Sequence, residues 1–235
     1  MKSISVIIPC YNHAATVGRC LESVYAQTLP AFEVVVVDDG STDALDAALK
    51  PFLGKIKLVR QINSGGPAAR NRGFRESKGD LVLFCDADII LRPDALEKLT
   101  AALDAHPEAA YAYASFKFGW KAFPLGPFDP ARLKKHNYIH TGSLIRREKF
   151  PGFDESLKRF QDWDLWLTML ERGDTGVWVP EFLANVHVSS KRGGISNWLP
   201  KLAYRLPWKW LGWKPKRVVE YEAAAAVIRR KHSLA

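Results

Sequence analysis

The sequence predicts an α/β protein with a mainly parallel, doubly wound sheet. Short apolar runs alternate with helical segments through the first half of the chain, the pattern of parallel strands joined by helices. Four consecutive valines and a later run of five apolar residues are continuous, as expected for strands buried on both faces. The first run ends in Asp38 and Asp39, and the second in Asp86 and Asp88. Because open α/β sheets bind ligands beyond the carboxyl ends of their strands, these acids mark the predicted functional edge.

The remaining elements of the first half follow from local patterns. Strands are predicted at residues 3–8, 34–37, 56–59 and 81–85. Pro9 would end the first strand, because proline cannot donate to a sheet ladder. One helix is predicted from Val17 to a point before Pro30, and a second from a Ser41 or Thr42 cap to near Phe52. A third helix is predicted after the glycine turn at 63–66, and a fourth from Pro93, which would lie in its first turn.

The second half is less regular. Residues 117–137 are rich in glycine, proline and aromatic residues, which favours a long loop over the sheet. Strands are predicted at 141–145, 178–179 and 184–188, and a helix opened by acidic residues at 162–170. A run of four alanines near the end favours a C-terminal helix.

Length and composition indicate one domain with an appendage, at residues 1–190 and 191–235. The three cysteines lie in apolar surroundings and are expected to be buried free thiols of a reducing compartment. We find no signal peptide and no apolar run of membrane-spanning length, so a cytoplasmic location is expected. The net charge of +9 is concentrated at residues 182–219, which contain eight basic residues and no acid.

The acidic strand end suits a divalent cation. Carboxylate oxygens are the ligands that Mg²⁺ and Mn²⁺ prefer, and the cation would be shared with a phosphate-bearing substrate. An Asp-rich turn would show the same two residues, Asp86 and Asp88, so the motif needs structural context. The chain lacks both the G-x-G-x-x-G fingerprint and the G-x-x-x-x-G-K-[ST] phosphate loop, which argues against a dinucleotide oxidoreductase and a P-loop NTPase.

Five motifs in order resemble the family two glycosyltransferases, nucleotide-sugar enzymes of the GT-A fold. The likeness runs from about Ser3 to His187. The motifs are Val6-Ile7-Ile8-Pro9-Cys10-Tyr11-Asn12, Val37-Asp38-Asp39-Gly40-Ser41-Thr42-Asp43, residues 63–73, Asp86-Ala87-Asp88, and Asp162-Trp163-Asp164-Leu165-Trp166-Leu167. The resemblance implies a GT-A fold, and the basic, tryptophan-rich C-terminal extension lies beyond the part of the chain that it covers.

The resemblance also implies binding roles. Pro9, Tyr11 and Asp39 would line the pocket for the nucleotide base and ribose, although Tyr11 could instead be a core aromatic and Asp39 a turn residue. Arg70 and Arg72 would face the diphosphate, unless they are solvated helix charges, and Asn71 could be a structural hydrogen-bonding residue.

The metal is assigned in the same way. Asp88 would bind Mn²⁺ or Mg²⁺ directly, and Asp86 would reach the ribose, or the metal through water. His187 would be a further metal ligand, although a lone histidine is more often structural.

Catalysis is assigned to Asp162 by the resemblance. An inverting transfer needs one base to take the proton of the acceptor hydroxyl. The family usually has Glu-Asp at this point, whereas this chain has Gln161-Asp162, which leaves Asp164 as the alternative base. A helix-capping role for Asp162 is also open. Trp163 and Trp166 could form an acceptor platform, but tryptophans at helical spacing are more often core residues.

The implied reaction moves a hexosyl or N-acetylhexosaminyl group from a UDP-sugar to a hydroxyl of a glycan or lipid-linked acceptor, as in polysaccharide biosynthesis. A nucleotidyltransferase is an alternative, but its Gly-rich loop with Lys or Arg is missing after the first strand, where Pro9-Cys10-Tyr11-Asn12 stands. A non-catalytic sugar-nucleotide-binding module is the other alternative. Asp88 and Asp162 argue against it.

The C-terminal extension predicts a membrane contact. Four of the eight tryptophans lie at 198–213, and the stretch 198–217 around them contains basic residues and three prolines that exclude one long helix. Indole rings and cations suit an anionic headgroup region, so residues 198–217 are expected to attach the enzyme to the inner face of a membrane. The tryptophans could instead pack onto the domain. Nucleic acid is not expected, because no recognised binding signature accompanies the charge.

Overall fold

The alternation of strands and helices is present and builds one mixed sheet. The computed structural model describes residues 2–187 and 215–234. The strands are β1 (Ile4–Cys10), β2 (Glu33–Asp38), β3 (Lys57–Arg60), β4 (Leu81–Phe84), β5 (Ile89–Leu91), β6 (Ala109–Phe118), β7 (Lys121–Phe123), β8 (Leu144–Arg146) and β9 (Thr175–Val186). The helices are α1 (Val17–Tyr25), α2 (Leu45–Leu49), α3 (Gly66–Glu76), α4 (Ala95–Ala105), α5 (Pro130–Lys135), α6 (Gln161–Glu171) and α7 (Lys216–Lys231).

The sheet order brings many strand ends to one edge. The order is β3-β2-β1-β4-β8-β6-β9-β5, and β7 pairs with β6. Strands β1 to β4 are parallel, β8 runs antiparallel between β4 and β6, and β9 is parallel to β6. Strands β1, β2, β3, β4, β6 and β9 therefore all end at the same side of the sheet, which we call the carboxyl edge.

Apolar side chains cover both faces of the central strands, as the continuous apolar runs predict. On β1, Val6 and Ile8 join a cluster that includes residues of α1, α2 and α4, whereas Ile7 joins a second cluster with residues of α6 and α7. Trp163 and Trp166 belong to the second cluster, and their indole N–H groups donate to backbone carbonyls at 2.7 and 2.9 Å. These two tryptophans are core residues and not an acceptor platform.

Three predicted boundaries are wrong. Strand β1 continues through Pro9 to Cys10 beside β2, and Pro9 is tolerated because it lies beyond Ile7, the last β1 residue that pairs with β4. Neither Ser41 nor Thr42 caps α2, whose N-cap is Ala44. Pro93 precedes the N-cap of α4 instead of occupying its first turn.

The predicted loop at 117–137 is also wrong in detail. It contains the end of β6, all of β7, which pairs back onto β6, and the short helix α5, capped by Asp129. Strand β6 itself was not predicted. The two short strands predicted near 178 and 184 are one strand, β9, whose pairing with β6 has register shifts near Ser115.

The three cysteines are buried free thiols, as predicted. In the part of the chain that the structure describes, no helix is both long and apolar enough to span a bilayer. Residues 198–214 of the predicted membrane-binding stretch, including Trp198, Trp208, Trp210 and Trp213, lie outside the described residues, so that interpretation stays a prediction.

Candidate active site

The first part of the site is the turn after β2. The carboxylate of Asp39 is 3% exposed and accepts three hydrogen bonds, from Gln61 Nε2 at 2.7 Å and from the backbone N–H groups of Ser64 and Gly65 at 2.8 Å each. These bonds fold residues 61–65 against the strand end. Gly40 lets the two segments meet, because its φ is +74° and a Cβ there would lie 2.8 Å from the Asn63 nitrogen. The predicted base-binding role of Asp39 stays a prediction.

Tyr11 and Asn12 follow β1 at the same edge. Tyr11 is 46% exposed, so it is not the core aromatic that the sequence left open. Asn12 has a left-handed backbone, with φ of 56°. Its Oδ1 accepts from the N–H groups of Thr42 and Asp43 at 2.7 and 3.1 Å. Asn12 therefore fixes the turn after β2 to the end of β1, just beyond half-buried Pro9.

Arg70 connects the end of β4 to the start of α6. One terminal nitrogen lies 2.6 Å from Asp86 Oδ1, and the other 3.3 Å from Gln161 Oε1. Burial acts to raise the pKa of Asp86, but the opposing contributions, of which the charge of Arg70 is the largest, leave the pKa below its usual value. Gly66 makes room for the guanidinium, since a Cβ there would lie 3.1 Å from Nη1. Arg70 thus holds Asp86 ionised.

The neighbours of Arg70 face elsewhere. Arg72 is exposed and pairs with Glu76 at 3.0 Å, which favours the alternative of a solvated helix charge, and its predicted diphosphate contact stays a prediction. The side chain of Asn71 bonds both the N–H and the C=O of Phe153, at 2.8 and 2.9 Å, which confirms the structural alternative.

Asp88 and His187 are cross-strand neighbours. Strands β5 and β9 are antiparallel with Ile89 opposite Val186, and the His187 N–H donates to the Asp88 carbonyl at 2.7 Å. Asp88 is half-buried and His187 is exposed. A carboxylate and an imidazole suit Mn²⁺, and a diphosphate would supply further oxygens. Within residues 2–187 and 215–234, no three His, Cys, Asp or Glu side chains form a complete metal site.

Asp162 and Asp164, the two acids in the first turn of α6, have different surroundings. Asp162 lies in the first helical turn and is half-buried, and its Oδ1 accepts from the Trp163 N–H at 3.0 Å. Asp164 is 3% exposed and pairs with Lys231 and His232 of the C-terminal region at 2.7 and 2.8 Å. Asp164 is therefore enclosed by protein, whereas Asp162 keeps part of its surface exposed.

His140 was missed by the sequence analysis. It precedes β8, its Nδ1 accepts from the Gly142 N–H at 2.9 Å, and its ring packs on Phe116 at 4.8 Å. Burial lowers its pKa, and the negative charges of Asp86 and Asp162 only partly oppose this. The ring is neutral, with its proton on Nε2, because Nδ1 accepts. No motif singles out this histidine, so the sequence carried no signal for it.

Comparison with known proteins supports the architecture. A sequence model of the family described as "Glycosyl transferase family 2" matches residues 5–154. The uncharacterised glycosyltransferase YwdF of Bacillus subtilis is 29% identical over 180 residues, which cover 70% of this chain and 66% of the relative. This chain thus spans slightly less than two thirds of that protein.

Two solved structures share the fold. The S. aureus TarS fragment 1–349, solved with UDP-GlcNAc, has a TM-score of 0.72 at 21% identity, covering 99% of this chain and 73% of that chain. The mannosyltransferase PcManGT of Pyrobaculum calidifontis, solved with GDP-Man and Mn²⁺, has a TM-score of 0.66 at 22% identity, covering 82% and 58%. The family match and these neighbours confirm the predicted GT-A fold. The chain belongs to glycosyl transferase family 2.

Proposed function

We propose that this protein transfers a hexosyl or N-acetylhexosaminyl group from a nucleotide-diphosphate sugar, with UDP as the first expectation, to a hydroxyl of a glycan or lipid-linked acceptor, as in polysaccharide biosynthesis. The observation that carries the proposal is the Arg70 bridge. It ties the acidic end of β4, through Asp86, to the helix start that bears Asp162. This bridge supports a single site in which the donor would bind beside the group that accepts the proton.

The nucleotide would lie at the ends of β1 and β2. Tyr11 offers an exposed ring there, beside Pro9, and Asp39 holds the 61–65 turn that would enclose the base. The related folds were solved with UDP-GlcNAc and with GDP-Man, which supports a nucleotide-sugar donor.

Asp88 and His187 would hold Mn²⁺ or Mg²⁺. Their adjacency across β5 and β9 supports this pairing, as does the Mn²⁺ in the related mannosyltransferase structure. The cation, when bound, supplies positive charge that offsets the negative charge of the departing diphosphate. Asp86, already paired with Arg70, would contact the donor ribose or water on the cation.

Asp162 would act as the base of an inverting transfer. It takes the proton of the acceptor hydroxyl while the hydroxyl oxygen bonds to the anomeric carbon. The bond from that carbon to the diphosphate oxygen breaks, and its electron pair leaves with the nucleoside diphosphate. His140, close to both Asp86 and Asp162, would donate from Nε2 to the sugar or acceptor.

Ligand-dependent thermal stabilisation tests donor and metal together. UDP, GDP and their sugars should raise the melting temperature only with Mn²⁺ or Mg²⁺, because the cation would hold the diphosphate. A ligand at 100 times its Kd stabilises the folded protein by about 2.7 kcal/mol, which a melting experiment detects. Asp88→Ala should abolish this metal-dependent shift. Asp104→Ala is the matched control, since Asp104 pairs with Lys2 at the opposite end of the sheet. An unchanged metal-dependent shift in Asp88→Ala would disprove the metal assignment.

Turnover distinguishes the enzyme from its alternatives. Release of nucleoside diphosphate with a glycosylated acceptor supports the proposal. Binding without turnover across a panel of acceptors would support a sugar-nucleotide-binding module. Pyrophosphate release from a nucleoside triphosphate and a sugar phosphate would indicate a nucleotidyltransferase.

A further inference from the structure

The β6–β7 hairpin projects an almost completely exposed tryptophan. Phe116, Lys117 and Phe118 of β6 pair with Phe123, Ala122 and Lys121 of β7, and Gly119 and Trp120 make the turn. Gly119 has a φ of 57°, which suits a two-residue hairpin turn. Trp120 is 96% exposed. Single exposed apolar residues are common on protein surfaces, so the position and charge of this hairpin must decide its meaning.

The hairpin extends from the carboxyl edge beside the proposed cation ligands. Phe118 is paired with Val186, and the Gly119 N–H donates to the Val186 carbonyl at 3.0 Å. The next residue is His187, whose N–H bonds the Asp88 carbonyl at 2.7 Å. The turn of the hairpin is therefore bonded to the residue that precedes the candidate cation ligand His187.

A row of stacked rings fixes the hairpin to the interior of the site. Phe123 stacks on Phe116 with ring centroids 4.9 Å apart and planes 2° from parallel. Phe116 in turn packs on His140 at 4.8 Å. His140 precedes β8, which starts at the carboxyl edge because it runs antiparallel to β4 and β6, so the hairpin is in packing contact with that edge.

The hairpin is basic as well as aromatic. Lys117 and Lys121 are both exposed, and their ammonium groups lie 5.8 and 5.0 Å from the rings of Phe182 and Phe123. Residues 109–128 contain no Asp or Glu. The tip therefore combines an apolar indole with flanking positive charge, the combination that binds the interface of an anionic bilayer.

We propose that the β6–β7 hairpin docks on an anionic membrane, with Trp120 in the headgroup region and Lys117 and Lys121 against lipid phosphates. A tryptophan that stacks on a sugar is covered by protein on its other face, whereas at 96% exposure both faces of Trp120 are open. This docking would place the carboxyl edge against the bilayer. The docking proposal rests on the proposed function in one respect: of the two acceptors named there, a membrane-bound site would use the lipid-linked acceptor and not the soluble glycan.

Vesicle co-sedimentation of the full chain tests the docking. Binding is measured on phosphatidylcholine vesicles with and without phosphatidylglycerol. Trp120→Ala should weaken binding to the anionic vesicles at least fivefold. Lys117→Gln/Lys121→Gln should weaken it about fivefold per lysine, which corresponds to roughly 1 kcal/mol each, and remove most of its salt dependence.

Matched controls come from the opposite end of the sheet. Phe32 is 62% exposed and directly precedes β2, so Phe32→Ala removes a comparable exposed ring. Lys50→Gln/Lys55→Gln removes two exposed lysines that precede β3. Both controls should bind anionic vesicles as the unmodified protein does. Equal losses in hairpin and control variants would overturn the proposal.

A fluorescent label reports the docking directly. The three native cysteines are buried, so Ala122→Cys, at an exposed hairpin position that keeps Trp120, can be labelled selectively with an environment-sensitive dye. The emission should shift to the blue with anionic vesicles. No shift, with vesicle binding unchanged in Trp120→Ala, would show that another segment binds the membrane and would overturn the proposal.

The outcomes separate this inference from the proposed function. Trp120-dependent vesicle binding without any nucleotide-sugar binding would retain the docking and refute the transferase assignment. Nucleotide-sugar binding together with vesicle binding that does not depend on Trp120 would refute the docking and leave the transferase assignment intact. If Trp120→Ala instead raises the KM for a soluble glycan and leaves vesicle binding unchanged, the hairpin is a sugar platform and the membrane proposal is wrong.

Discussion

Helices α3 and α6 each carry two identical charged residues two positions apart, and in each helix the first residue belongs to the site and the second does not. On α3, Arg70 reaches Asp86 while Arg72 pairs with Glu76 on the surface. On α6, Asp162 is half-buried in the first turn, whereas Asp164 is enclosed by the C-terminal region. Residues two apart on a helix are separated by about 200° around its axis, so the two members of a pair cannot share an environment.

The second members differ because the helices have different neighbours. The far side of α3 at Arg72 meets solvent, and the far side of α6 meets the end of α7. His232 there has a side chain only 2% exposed, with its Nε2 2.8 Å from Asp164 and its Nδ1 2.9 Å from Glu171. Carboxylates only accept, so both contacts are hydrogen bonds when the ring carries both protons. The comparison teaches that sequence spacing determines which side of a helix each residue lies on. The elements that pack against each side then determine whether that residue meets solvent, protein or the site.

The largest effect is expected on catalysis. Asp162→Asn should lower the transfer rate about 10²–10⁴-fold, the usual contribution of a positioned general base, with the melting temperature and donor affinity unchanged. Single-turnover rates and donor titrations measure the two quantities separately. A nearly normal rate in Asp162→Asn, together with a large loss in folded Asp164→Asn, would reverse the two roles.

The next effect is expected on stability. Asp164→Asn should lower the free energy of unfolding by about 3–5 kcal/mol, because it removes the buried carboxylate that faces His232 Nε2 and one of the two carboxylates that contact Lys231. Glu171→Gln is the matched control. Glu171 contacts the same imidazole but is 55% exposed, so its loss should cost less than about 1 kcal/mol. Urea unfolding of both variants gives the comparison, and equal losses would contradict it.

The sequence was sufficient to identify the acidic ends of the strands. It was not sufficient to decide which residue of a helical pair, Arg70 or Arg72 and Asp162 or Asp164, points toward those ends. The acids after β2 and β4 follow continuous apolar runs, and that local pattern suffices to place them at the carboxyl edge. The adjacency of Asp88 and His187 depends on the pairing of β5 with β9, which joins residues almost a hundred positions apart, and no local pattern encodes it. The resemblance supplied that pair, and the sheet explains it.

The missed features have the same cause. Strand β6 is alanine-rich at its start, so its sequence lacks the β-branched residues that indicate a strand. The hairpin with β7 was hidden within a segment whose glycines and prolines favour a loop. His140 gains its meaning only from packing against Phe116 and from the nearby acids. Each of these features depends on tertiary contacts.

An effect of intermediate size is expected on the pH dependence of stability, through another contact of Lys231 at the end of α7. Lys231 also bonds Asp154 at 2.6 Å, and this bond, with that of Ser156, lowers the pKa of Asp154 to about 2. A lowered carboxyl pKa stabilises the fold above the unfolded value near 4, and that stability is lost as the pH falls toward 2. Asp154→Asn should therefore cost about 1–2 kcal/mol at pH 7, and the difference should vanish near pH 2. A difference that persists in acid would contradict this origin.

The smallest effect is expected at the surface member of the arginine pair. Arg72→Ala removes a single exposed pair with Glu76, four residues along the same helix, which is worth about 0.3–0.5 kcal/mol. Donor affinity should not change, because Arg72 faces away from Asp86. Arg70→Ala is the sensitive counterpart: its side chain is 11% exposed and its guanidinium bonds the strand end and the start of α6 together, so donor affinity should fall. Isothermal titration with UDP and Mn²⁺ distinguishes the two. Equal losses of affinity would mean that both arginines reach the diphosphate and that α3 turns when the donor binds, which would break the parallel with α6.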